Sequence, residues 1–174
     1  GEKDAVVMYD FATDWIGCIP VKSRNYDETY NSFRSFAGRS KVDMIYCDRA
    51  PEFIKVATDL GWPRSHSLPD QPKTNGIAEN RVKLVLNGGR CALNVAGLDA
   101  KWWPYACRQW ADSRNMELRN GDSAWNKRFK NGHFKGIQLP FGCLIDYLPS
   151  AKLYDSKGKR KRPGRKLKDA TSET

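Results

Sequence analysis

Apolar and polar positions alternate or cluster in a way that predicts an ordered series of elements. AVVMY at 5–9 and WIGCIPV at 15–21 are short β-rich runs separated by the polar FATD, which predicts two strands joined as an antiparallel hairpin. From Asn25 to Gly38, Tyr26, Tyr30, Phe33 and Phe36 fall near helical spacing, with acids at the start and a glycine at the end. VDMIYC at 42–47 reads as a strand ending at Asp48, and PEFIKVATDL reads as a helix that stops at Gly61. Residues 62–76 hold three prolines and many turn formers, so a loop with at most one short strand is expected there. A helix follows from about Ile77 to Ala96, with Ala78, Val82, Val85, Ala92, Leu93 and Ala96 on its buried face. Gly88 and Gly89 each cost that helix ~1 kcal/mol, which predicts a bend. A last helix runs from about Trp102 to Asn115, with Pro104 in its first turn, and GIQLPFGCLIDYLP at 136–149 can supply one or two strands of a small annex. The order β-β-α-β-α-(β)-α-α describes an α/β layered domain.

Composition narrows the partners more than the fold. The chain has 174 residues, enough for one globular core, with 30 Lys and Arg against 20 Asp and Glu and a net charge of +10. Residues 151–174 contribute +6 of it, from nine basic and three acidic side chains, and read as a basic disordered tail. That balance favours a polyanion, without choosing among DNA, RNA and an anionic membrane. No run of 18 apolar residues occurs and GEKDAVVMYD lacks a signal-peptide layout, so an intracellular, unsecreted protein, nuclear or cytoplasmic, is expected. The five cysteines form no CxxC pair and are expected to be reduced and mostly core. His66 and His133 sit apart from them, so no structural zinc site is expected.

The candidate chemistry rests on two carboxylates. Asp48 follows directly on a strand, where open α/β sheets place ligands, and its bland alternative is a turn that starts the next helix. Glu79 lies in the first turn of the long helix, and its bland alternative is an i,i+4 pair with Lys83 worth ~0.3–0.5 kcal/mol. Two hard carboxylates that converge on one point make a Mg²⁺ or Mn²⁺ site suited to phosphoryl transfer. Trp102, Trp103 and Trp110 offer possible stacking faces for bases, but Trp103 and Trp110 have core spacing.

The segments that hold these carboxylates resemble the integrase catalytic core of retroviruses and LTR retrotransposons, within the RNase H-like DDE superfamily. YCDRAPEF at 46–53 resembles the strand-end S/T-D-N-G-x-E-F motif, and SLPDQPKTNGIAENRVK at 67–83 resembles S-x-P-x-x-P-x-x-N-G-x-x-E-R. VVMYDFATDWIGCIPVKS is similar to the hairpin that precedes them, and PFGCLIDYLP to a block downstream of the core in copia-like Pol polyproteins. The resemblance implies an RNase H-like mixed sheet flanked by helices, with a core at 1–116, a linker at 117–150 and the basic tail at 151–174. It makes Asp48 and Glu79 catalytic metal ligands for two Mg²⁺ or Mn²⁺ ions, in 3′-end processing and strand transfer during DNA integration. It also implies DNA contacts from Lys83, with Arg90, Lys73, Asn75 and Gln71 as further candidates, and a homo-oligomer. GKRKRPGRK in the tail can bind phosphates, RNA included, or act as a nuclear import signal; no membrane partner is expected.

Three departures set the limits of the resemblance. Thirty residues separate Asp48 from Glu79, fewer than is usual in the family, and Arg49 and Ala50 replace its Asn and Gly. Matching the hairpin to the family's second and third strands puts the first strand, with the first catalytic Asp, upstream of Gly1. Asp10 is the substitute metal ligand, with turn formation as its alternative. The chain is therefore expected neither to join DNA strands nor to fold well by itself, since two strand edges would stand open. The alternatives are a non-catalytic nucleic-acid-binding relic or domesticated module, and an RNase H-like nuclease.

Overall fold

The computed structural model describes residues 1–66 and 76–146. Strands β1 (Asp4–Asp10) and β2 (Trp15–Val21) form the antiparallel hairpin, with Val6 opposite Ile19 and Tyr9 opposite Ile16. The turn between them is built by its own side chains. The carboxylate of Asp10 accepts from the Ala12 N–H at 3.0 Å and from the Thr13 hydroxyl at 2.5 Å, and Asp14 takes the left-handed conformation at φ 63°. Helix α1 (Tyr26–Ala37) starts at Asn25, whose side chain accepts from the Glu28 N–H, and ends at Gly38 with φ 61°.

Strand β3 (Ile45–Cys47) leads through Asp48 into α2 (Pro51–Asp59), and β4 (Arg64–His66) returns parallel to β3. Both hands of pairing are thus present, but in two small sheets. Among the described residues β1 pairs only with β2, and β3 only with β4. Helices α3 (Gly76–Ala96), α4 (Trp103–Met116) and α5 (Ala124–Phe129) complete the order, with a single 3-10 turn at Ala100–Trp102. Among the described residues no helix is long and apolar enough to cross a membrane.

The hairpin is buried on both faces, and its two-residue period divides the core. Ala5, Val7 and Tyr9, with Ile16 and Cys18, pack on Val85 of α3 and on Trp103, Cys107, Trp110 and Ala111 of α4. Val6 and Met8, with Ile19 and Val21, pack instead on Phe33 of α1, Ile45 of β3 and Val56 of α2. This is a three-layer arrangement in which Phe33, Ile16, Val56 and Val85 are essentially inaccessible to solvent.

The contact between α3 and α4 explains the glycine pair. A β-carbon on Gly88 would fall on the Trp110 indole, and one on Gly89 would meet the Cys107 sulfur and lie 3.2 Å from the Cys107 backbone. The helix is continuous through both glycines, and both serve its close approach to α4. The buried face is rotated accordingly: Val85, Gly88, Gly89 and Leu93 are buried, whereas Ala78 and Val82, expected inside, are exposed. Asn115, completely buried at the end of α4, closes the free side of β2. It accepts from the Ile16 N–H at 2.9 Å and donates to the Ile16 carbonyl at 2.7 Å.

The stretch expected to be a linker contributes α5 to the same compact unit, which extends from Gly1 to Cys143. Ser123 caps α5, and Trp125 and Phe129 pack on Trp15 with ring centroids 6.2 and 5.4 Å apart. Arg128 lies over Trp15 and Phe36 and donates to the Phe36 and Ala37 carbonyls, closing the C-terminal end of α1. The annex strands expected from 136 onward are absent from 136–146; that segment is held in part by Gln109, which donates to the Leu139 carbonyl at 3.1 Å.

Candidate metal centre and nucleic-acid interface

Asp48 is the first residue beyond β3 and is exposed. One of its oxygens accepts from the Ala50 N–H at 3.2 Å, a turn that orients the carboxylate just before Pro51 opens α2. Its other oxygen has no hydrogen bond among the described residues. Burial, and then the charge of Asp48, push the half-buried Cys47 thiol above its ordinary pKa, which favours the protonated thiol.

Glu79 stands in the first turn of α3, exposed, where a carboxylate also complements the helix dipole. Neither it nor Asp48 forms an ion pair among the described residues, so the Glu79–Lys83 pair considered from the sequence is not formed. Lys83 and Arg90 are exposed on the same helix, four and eleven residues beyond Glu79. At 1.5 Å per residue that is about 6 and about 16 Å along the axis, and within roughly 40° around it. The outer surface of α3 therefore carries one acid followed by two cations. Gln71, Lys73, Asn75 and the basic tail lie outside the described residues.

Asp10 is the third carboxylate named from the sequence, and both of its oxygens are engaged in the β1–β2 turn. Among the described residues no group of three or more His, Cys, Asp or Glu stands where it could hold a metal ion. Asp48 and Glu79 supply hard oxygen donors of the kind Mg²⁺ takes, and Mg²⁺ ordinarily fills the rest of its shell with water and substrate phosphate. The donor chemistry thus fits, as part of a ligand set. Of the tryptophans, Trp103 and Trp110 belong to the core and Trp102 is exposed. All five cysteines are free thiols, but only Cys18 and Cys107 are buried, fewer than expected.

One charged cluster has no counterpart in the sequence reading. The Tyr9 hydroxyl donates to Asp14 at 2.5 Å, and Arg119 pairs with the other Asp14 oxygen at 3.0 Å. Arg81 lies over the Tyr9 ring at 4.1 Å, and Arg114 lies over Trp110 at 5.7 Å. These residues come from β1, the hairpin turn, α3 and the end of α4, so no local spacing announces them.

Comparison with known proteins agrees with this architecture. No protein-family profile matches the chain. It is similar to the retrovirus-related Pol polyproteins of transposons RE2 and RE1 from Arabidopsis thaliana, at 25% and 24% identity over 108 residues. That segment covers 58% of this chain, and only about 7% of the length of either polyprotein. Its fold is similar to that of the catalytic core domain of BIV integrase, with a TM-score of 0.55 at 12% identity, covering 71% of this chain and 88% of that one. The two comparisons agree: the fold is similar to that of an integrase catalytic core domain, and a 108-residue segment is similar in sequence to the Pol polyproteins of two retrotransposons.

Proposed function

We propose that the chain carries part of the catalytic centre of a DNA-integrating polynucleotidyl transferase, in which Asp48 and Glu79 bind Mg²⁺ or Mn²⁺ and the outer face of α3 binds DNA. The observation that carries this reading is the pairing of a strand-end Asp with a first-turn Glu, both exposed and free of ion pairs among the described residues, on an integrase-core fold. A divalent cation held there supplies charge neutralisation at the phosphodiester and a lower pKa for the attacking hydroxyl. The chain's own contribution is positional. Asp48 is held by its turn to the Ala50 N–H, and Glu79 is fixed by a helix whose opposite face is locked against α4. Lys83 and Arg90 carry positive charge outward along the same helix, where successive phosphates of a DNA strand provide the complement.

The test is binding of a fluorescent DNA duplex end, measured by anisotropy in Mg²⁺ and in EDTA. The proposal expects tighter binding in Mg²⁺ than in EDTA, with that difference abolished by Asp48→Asn and by Glu79→Gln. Affinity that ignores EDTA and both substitutions would replace it with a nucleic-acid-binding module without catalytic chemistry.

A further inference from the structure

Among the described residues, the charged groups around the hairpin turn are unequal. Arg119 pairs with Asp14, whose other oxygen is taken by Tyr9; Arg81 lies on that tyrosine's ring, and the charges of Arg81 and Arg114 also reach the Asp14 carboxylate. Glu117 approaches Arg119 only at 3.8 Å, longer than a hydrogen bond. The Nε atoms of Arg81 and Arg119 are both buried and without a hydrogen-bond partner. Buried donors are almost always satisfied, so two partnerless Nε atoms in one cluster mark guanidinium groups whose donor capacity the fold leaves unfilled. All three arginines are only half-buried, so the cluster remains accessible from solvent.

The electrostatics point the same way. Burial would raise the Asp14 pKa, but the Tyr9 hydroxyl and the charges of Arg119, Arg114 and Arg81 outweigh it and hold the carboxyl below its ordinary value. Burial, then repulsion from Arg119 and Arg81, lowers the pKa of Arg114 against the opposing pull of Asp14 and Glu117. A second anion of tetrahedral, multi-acceptor geometry would relieve that repulsion, and planar guanidinium forks suit phosphate oxygens.

We propose that Arg81, Arg114 and Arg119 form an oxyanion site, built on the Tyr9–Asp14 hydrogen bond, that takes a phosphodiester group of the nucleic-acid backbone. The choice of nucleic acid over free phosphate rests on the function proposed above; the anion site itself does not. It also gives α3 two roles, because Arg81 lies two residues beyond Glu79 and points to the hairpin instead of outward.

Two measurements on the full chain, both in EDTA, separate this site from the metal centre. In the first, inorganic phosphate is titrated while the Nε–Hε signals of the arginines are followed by NMR. Saturable shifts at Arg81, Arg114 and Arg119 are expected, and shifts that never saturate would overturn the site. The second is the salt dependence of duplex binding by Arg114→Gln, chosen because the Arg114 side chain makes no hydrogen bond among the described residues. Each phosphate contact contributes about 0.9 to the slope of log affinity against log salt, so the slope should fall by about one. The same drop is expected in a Glu79→Gln background, which holds the metal centre out of the comparison. An unchanged slope with an unchanged melting curve would overturn the assignment to nucleic acid.

Discussion

Gly88→Ala sets two effects of opposite sign against each other. In an exposed helix interior the change stabilises by ~1 kcal/mol, because alanine loses less backbone freedom than glycine. Here the added methyl would coincide with the Trp110 indole, a rigid ring packed among Cys107, Ala111 and Val85. Relief requires moving that ring or separating α3 from α4, and forced repacking of a full core costs typically about 1–3 kcal/mol, occasionally more. Because the clash is with a ring that cannot fold aside, the upper part of that range applies, and the net expectation after the helix-propensity gain is a loss of roughly 1–2 kcal/mol. Urea unfolding followed by tryptophan fluorescence and by far-UV circular dichroism gives the midpoint and its slope. Trp110→Leu should recover much of the loss in the double variant, since it removes the ring that the methyl strikes. A Gly88→Ala protein as stable as the parent, or more stable, would refute the packing argument.

Two further outcomes follow from side chains that close the hairpin. Asn115→Ala leaves the buried N–H and carbonyl of Ile16 without partners, at about 1–3 kcal/mol for each group, so a loss of roughly 2–6 kcal/mol is expected in urea unfolding; a loss below about 1 kcal/mol would mean that water or another group replaces the amide. Asp14 is held below its ordinary carboxyl value of 3.8, so it stabilises the fold above that pH and the contribution is lost as pH falls through its lower folded value; Asp14→Asn should lower the melting temperature at neutral pH and narrow the gap to the parent in acid, and parallel curves from pH 7 to 2 would contradict this.

What could be read from the sequence was what is encoded locally. The strand runs of β1 and β2, the capped start of α1 and the placement of Asp48 and Glu79 at a strand end and a helix start all depend on short-range chemistry, and all appear in the fold. The buried face of α3 depends on its neighbour. Hydropathy favoured Ala78 and Val82, but α4 packs most closely where Gly88 and Gly89 admit it, and the face turns with it. The six-residue α5 is too short for a hydrophobic period to register; its one local sign was Ser123 ahead of AWNKRF. The segment from 136 onward has β-rich composition but, among the described residues, no strand partner. The arginine cluster was invisible because Tyr9, Asp14, Arg81, Arg114 and Arg119 meet only in three dimensions.

The central claim is that Asp48 and Glu79 act on the same cation. Substoichiometric Mn²⁺ added to the isotopically labelled chain broadens amide signals within about 10–15 Å, steeply with distance. The account predicts selective broadening around both Asp48 and Glu79, lost at both places when either residue alone is replaced, by Asp48→Asn or by Glu79→Gln. Broadening at one carboxylate that survives removal of the other, or none near either, would contradict a shared metal centre.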